Sequence, residues 1–212
     1  DRTSRGLGDV YKRQAAAGSP TQTGLDLTSY PATAPLFYDA VYQPQFEAEV
    51  LACLPANGLG PEGSTHAVVL NATLFYPEGG GQEGDRGSLA QGGDEVLVLD
   101  TQKMGDVIVH FTNQPVESGD AVHGSLDWKR RKQLMDHHTA VHIVGGAARR
   151  LLGPHIFQAG SHLSVESGRL DITHYHRLTR QELDLMEDMA NAVLSDVRAT
   201  DCLLYTSDAA DD

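Results

Sequence analysis

HAVVLNATLFYPEGGGQEGDRG, residues 66–87, carries the reading on which the fold turns. Residues 66–76 are rich in apolar and β-branched side chains, as a strand is, and they run into three glycines, Gly79, Gly80 and Gly81, that end at Gln82 and mark a tight turn. The same alternation recurs on either side. The apolar runs LFYDAVY, FEAEVLACL, EVLVLD, VIVHF and AVHGSLD are separated by Gly, Asn, Asp and Pro clusters, as in a small antiparallel barrel occupying residues 36–126. Helical periodicity takes over from Trp128 to Leu152 and stops at Gly153 and Pro154. HIFQAGSHLSV and GRLDITHY then read as two strands joined by a turn at residues 166–168. A second helix begins at Thr179, which with Glu182 has the spacing of a capping box ahead of Leu183, Met186, Ala190 and Leu194. The expected fold class is α+β: a small antiparallel β-barrel followed by a two-layer α/β unit over residues 127–201, with helices on an antiparallel sheet.

The two ends of the chain read differently. DRTSRGLGDVYKRQ (1–14) and CLLYTSDAADD (202–212) look like translated adapter sequence, and residues 15–35, rich in Ala, Gly, Ser, Thr and Pro, suit a linker. Residues 15–201 are expected to be an internal piece of something longer. A hydrophobic content of 40% is ordinary for a packed domain. No stretch reaches the roughly 18 apolar residues of a membrane span. The formal charge of −13, of which the terminal segments contribute +2 and −3, argues against nucleic-acid binding through a general basic surface. Local basic spots remain, and Lys129, Arg130, Arg131 and Lys132 form one run of them. Cys202 falls in the foreign-looking tail and Cys53 stands alone, so there is no disulfide framework, and Cys53 reads as a small buried strand residue.

Chemistry concentrates in the glycine turn and in DHHTAVH, residues 136–142. His138 and His142 lie four apart and share one helix face, so their ring nitrogens can meet on one metal ion, supplying two of the four ligands zinc usually takes. The bland alternative is a pair of solvated or core-edge histidines. Thr139 stands where the metalloprotease version of this spacing has its glutamate base, so that chemistry is disfavoured. Three successive glycines can adopt positive φ and bring backbone amides close to ligand oxygens, or can simply make a hairpin turn. Gln82 offers a donor and an acceptor. Thr73 either orients a small hydroxylated ligand or is a strand residue.

Taken in order, ATLFYPEGGGQEGDRG, HHTAVHIVGGAARRLLGPHIFQAGS and RLDITHY resemble the editing domain of alanyl-tRNA synthetases, most closely the archaeal type. The same domain occurs in free-standing alanyl-tRNA editing proteins (AlaX) and, more distantly, in threonyl-tRNA synthetases. The resemblance runs from about Leu36 to Ala199. It implies zinc-dependent hydrolysis of the ester joining serine or glycine to tRNA(Ala), within a parent enzyme that ligates alanine with ATP. ATP then belongs to the aminoacylation domain alone. Editing has a physical reason, since a pocket built for alanine cannot exclude glycine by size and rejects an added hydroxyl weakly. The resemblance casts Gln82 and Thr73 as catalytic-site residues that recognise the amino acid and place the ester, and Gly79, Gly80 and Gly81 as substrate-binding near the terminal ribose. His138 and His142 become zinc ligands, with the remaining cysteine and histidine of the family's later motif expected beyond Ala199, so that this chain holds half the metal site. His174 is the further histidine best placed to line it. The implied partner is the tRNA(Ala) acceptor end carrying a mischarged amino acid, with neither membrane nor DNA involved, and the implied location is the cytoplasm. The alternatives are a free-standing editing hydrolase and a non-catalytic module that docks the tRNA end.

Overall fold

The computed structural model describes residues 24–196; the adapter-like ends, residues 15–23 and residues 197–201 lie outside the described residues. Six strands close into an antiparallel barrel: β2 (Gln45–Pro55), β3 (His66–Leu70), β7 (Val107–Thr112), β6 (Asp94–Met104), β5 (Gly87–Gln91) and β8 (Ala121–Leu126), in that order around the wall. Two short strands, β1 (Ala34–Pro35) and β4 (Ala72–Thr73), pair in parallel beside it. Alternation along the strands sends Phe46, Ala48, Val50, Val68, Leu70, Val96, Val98 and Val122 to the interior, where they meet Leu74, Phe75 and Leu89. The rings of Phe46 and Phe75 pack edge-on with centroids 5.7 Å apart.

Both faces of β7 are buried. His110 points inward, while Val107, Val109 and Phe111 pack outward with Ala67 and Val69 beneath Leu25, Leu27 and Tyr30. Residues upstream of Leu36 thus cover one outer face of the barrel, and Thr33 secures them, its hydroxyl accepting from the Ile108 amide at 3.0 Å. That double cover is why VIVHF is a continuous apolar run rather than an alternating one.

One expected strand comes out differently, and one strand appears that the sequence does not announce. LFYDAVY begins as a 3-10 turn over Leu36–Tyr38 that buries Phe37. The chain also contributes a barrel strand, β5, from GSLAQ, whose small and polar residues carry little strand signal.

Beyond the barrel, helix α1 (Trp128–Leu152) is capped by Asp127, whose side chain accepts from the Arg130 amide at 3.0 Å, and it ends at Gly153 with φ 116°. Strands β9 (Gln158–Leu163) and β10 (Gly168–Ile172) form an antiparallel hairpin against α1. Its turn is held by the Ser164 hydroxyl, which accepts from the amides of Glu166 and Ser167. Helix α2 (Arg180–Ser195) starts with the complete capping box expected at Thr179 and Glu182. A small second core of Ala148, Ile156 and Met186, with Val144, Leu152 and Ile172, joins both helices to the hairpin. The architecture is α+β, as the sequence predicts.

Candidate functional site

The glycine turn projects from the barrel onto the helix and hairpin. Gly79 and Gln82 exchange backbone hydrogen bonds at 3.1 and 2.9 Å, and between them Gly80 and Gly81 have φ of 58° and 80°. Positive φ at both central positions is the signature of a tight hairpin turn that favours glycine. Gly81 is further constrained, because a Cβ there would lie 2.4 Å from the Ser161 hydroxyl oxygen and 2.5 Å from the Ser161 carbonyl. The turn is therefore packed directly on β9. Leu163 donates its amide to the Gly81 carbonyl at 2.7 Å, Glu83 donates to the Leu163 carbonyl at 3.1 Å, and the Ser161 hydroxyl donates to the Gly80 carbonyl at 3.1 Å. Among the described residues the amides of Gly80 and Gly81 have no hydrogen-bond acceptor, which leaves two adjacent donors at the tip.

Beneath the turn lies the histidine pair. The His138 Nδ1–H donates to Oε1 of Gln82 at 2.9 Å, and the rings of His138 and His142 stack with centroids 5.0 Å apart and planes 20° apart. Fixing the proton on Nδ1 leaves Nε2 of His138 with its lone pair. Burial, reinforced for His138 by the neighbouring His142, depresses the pKa of both imidazoles and keeps them neutral near pH 7. Neutral imidazoles, one of them oriented by a carbonyl through its other nitrogen, match what a zinc ion asks of its ligands. The pair fits as two ligands of such an ion. No cluster of three or more metal-binding side chains occurs among the described residues.

Gln82 and Thr73 are both buried, at 4% and 0% exposure, but they sit in different surroundings. Gln82 reaches the imidazole. Thr73 belongs to the barrel interior, where its hydroxyl donates to Nε2 of His110 at 2.9 Å and accepts from the Phe75 amide at 3.0 Å, while the His110 Nδ1–H donates to the Val68 carbonyl at 3.1 Å. Its hydrogen bonding is complete there. Ser161, which the sequence reading passed over, touches the turn directly; the signal lay in its place within a small-residue stretch, AGS, facing a glycine turn. His174 lies after β10 against His155, beyond the C-terminal end of α1 and away from the mid-helix histidine pair.

An ion pair locks the turn's exit to the helix. Arg131, 4% exposed, donates from Nε to Oδ2 of Asp85 at 2.7 Å, pairs with the same oxygen through Nη2, and donates from Nη2 to the Leu74 carbonyl at 2.6 Å. The Tyr76 amide donates to that carboxylate as well, at 2.7 Å. His138 follows Arg131 by two helical turns, so one helix face carries both the lock and His138. The basic run is thereby consumed internally: Arg130 pairs with Glu83 at 2.7 Å and Lys132 with Asp136. Of the four candidate basic spots for a nucleic acid, Lys129 is left. Cys53 accepts from the Val116 amide at 3.5 Å, and burial raises its thiol pKa, in keeping with an unreactive residue.

Residues 12–130 match the family model for tRNA synthetases class II (A). Among curated proteins, the alanine–tRNA ligase of Metallosphaera sedula is 42% identical over 191 residues, which is 89% of this chain and 20% of the relative. The alanine–tRNA ligase of Pyrococcus furiosus is 44% identical over 170 residues, 79% of this chain and 18% of the relative. That of Halobacterium salinarum is 42% identical over 176 residues, 83% of this chain and 19% of the relative. The chain thus spans about one fifth of the length of the relatives it matches.

Proposed function

This chain belongs to the class II (A) tRNA synthetases, and from that premise we propose that it is the proofreading part of an alanine–tRNA ligase, hydrolysing the ester of serine or glycine wrongly joined to tRNA(Ala). The observation that carries this reading is the 2.9 Å hydrogen bond from His138 to Gln82, because it joins the glycine turn and the histidine pair into one site. The parent enzyme's ligation of alanine with ATP lies with residues outside this chain.

Each residue then has a defined task. The two unshared amides of Gly80 and Gly81 take up an oxygen of the terminal ribose or of the ester, where backbone dipoles stabilise developing negative charge. Gln82 acts through His138, holding its ring so that Nε2 faces the reacting group. Thr73 and His110 fix the strand that delivers the turn. Ser161 supports the turn from below. His138 and His142 would hold a zinc ion, which when bound supplies Lewis-acid polarisation of a carbonyl or a water. Its remaining ligands would come from a cysteine–histidine segment following residue 201.

The test is release of amino acid from seryl-tRNA(Ala) and alanyl-tRNA(Ala) by residues 15–201 extended with such a segment, with and without a chelator. Serine-selective, chelator-sensitive hydrolysis is expected. Replacing His138 or Gln82 by Ala should lower the rate by about a hundredfold without altering the circular dichroism spectrum. Full hydrolysis by the folded variants would remove this site from the reaction, and no hydrolysis by the zinc-loaded parent would leave a docking module.

A further inference from the structure

Past the C-terminal end of α1, whose middle carries the histidine pair, four rings gather, His155 and His174 half-buried and Tyr175 and His176 exposed. His155 and His174 stack with centroids 5.2 Å apart and planes 19° apart, and their Nε2 and Nδ1 atoms share a hydrogen bond at 3.0 Å. Tyr175 leans on both, at 5.2 and 4.7 Å, and His176 closes the group at 4.3 Å from His174 and 4.6 Å from Tyr175. Tyr175 is nonetheless 79% exposed. Beside them Phe157 is 57% exposed, with the Arg149 guanidinium 4.8 Å from its ring centroid.

Exposed aromatic area of this kind is costly in water unless something covers it. The backbone beneath the cluster is also cross-linked. Thr173 stitches the two segments together, accepting from the Phe157 amide at 2.8 Å, donating its hydroxyl to the His155 carbonyl at 2.8 Å and its amide to the Phe157 carbonyl at 3.0 Å. A backbone ordered in advance lowers the entropy lost when a planar partner stacks on these rings.

The charge around the cluster selects among planar partners. Although the chain carries −13 overall, Arg149, Arg150 and Arg177 at this end form no ion pair among the described residues, whereas of the nearby acids Asp171 and Asp184 are paired, with Arg169 at 3.2 Å and Arg180 at 2.9 Å, and Glu182, beside His174 and His176, is held by the Thr179 amide at 2.7 Å and the Thr179 hydroxyl at 2.8 Å. In the basic run at the start of α1 only Lys129 lacks an ion pair among the described residues, so Arg149 and Arg150, with Arg177 in the loop ahead of α2, are the larger positive group without acidic partners. Exposed rings interleaved with unpaired guanidinium groups match unpaired nucleotides, whose bases stack and whose phosphates are anionic.

We propose that Arg149, His155, Phe157, His174, Tyr175 and His176 form a stacking platform for unpaired RNA nucleotides. It rests on the reading that the partner is a tRNA whose reacting end lies at His138 and His142. The helix rise puts the platform about 15 Å further along α1, from residue 142 to residue 152. A stacked strand rising about 3.4 Å per nucleotide covers that distance in four or five nucleotides, the scale of a short single-stranded end.

The test measures binding apart from hydrolysis, so that failure of the platform is distinguishable from failure of the editing reading. The probe is a fluorescein-labelled, unstructured RNA of about eight nucleotides, titrated with the 212-residue chain by anisotropy, beside the same RNA annealed to its complement. Preference for the single strand is expected. Tyr175→Ala and Phe157→Ala, both at exposed positions, should each raise Kd by about tenfold with unchanged melting temperature. Arg149→Gln should flatten the salt dependence, which for three phosphate contacts has a logarithmic slope of about −2. Absence of single-strand binding by the unmodified chain, equal affinity for the duplex, or wild-type affinity in both aromatic variants would each overturn the proposal.

Discussion

His110 is a titratable side chain enclosed in a barrel, and its hydrogen bonds accept one protonation state. Nδ1 donates to Val68 and Nε2 accepts from Thr73, so the neutral ring is satisfied and the cation is not, and burial lowers its pKa from 6.5 to about 4. The unfolded chain then binds more protons than the folded one between these values. Stability is complete above about pH 6.5, declines as pH falls, and has lost on the order of 3 kcal/mol from this residue by pH 4. His138 and His142, whose pKa values are also lowered, act with the same sign. Urea unfolding followed from pH 7 to pH 4.5 should show this slope, and His110→Gln should reduce it. The pairing also marks where sequence reading stops at this scale. Gln82, His138 and His142 were legible because glycine freedom and helical spacing are local rules, and a hydrogen bond does join Gln82 to His138. Thr73, on β4, meets a partner 37 residues away on β7, a tertiary contact that no local pattern announces.

Helix α2 was readable to its first residue because its start is written in side chains. Thr179 accepts from the Glu182 amide at 3.2 Å, and Glu182 accepts from the Thr179 amide at 2.7 Å. Thr179→Ala should therefore cost about 1 kcal/mol, seen as a lower thermal midpoint. Since Met186, one of the two buried residues of α2, belongs to the small second core, loss of the cap should loosen the hairpin layer before the barrel, which hydrogen exchange can resolve. The basic run 129–132 shows the opposite case. Four consecutive residues read as one patch in sequence, yet successive positions on a helix point about 100° apart. Arg131 consequently turns inward to Asp85, Arg130 reaches Glu83, and Lys132 meets Asp136 one turn on. Strand β5 escaped notice for a related reason: its place is set by the neighbours β6 and β8 on either side rather than by apolar content of its own.

The molecule as a whole joins a closed barrel to a helix-and-hairpin layer, and the site lies where the barrel's turn crosses between them. The buried Arg131–Asp85 pair holds that crossing, with both groups almost wholly shielded from water. Removing one member of such a pair leaves an uncompensated charge inside, so Arg131→Met should cost about 3–5 kcal/mol, read from the urea midpoint. Asp85→Asn in the same chain should recover part of the loss, because the stranded group is then neutral. A chain ending at Asp127 contains every barrel strand but lacks the guanidinium, and its stability should fall in the same way. The order of synthesis gives this arrangement a temporal meaning. When a ribosome has released residues only as far as Asp127, the carboxylate of Asp85 still has no cation to bury against. The buried pair can close only once the first turn of the next helix has emerged, so the glycine turn is locked in place when the helix that carries the two histidines is already under way.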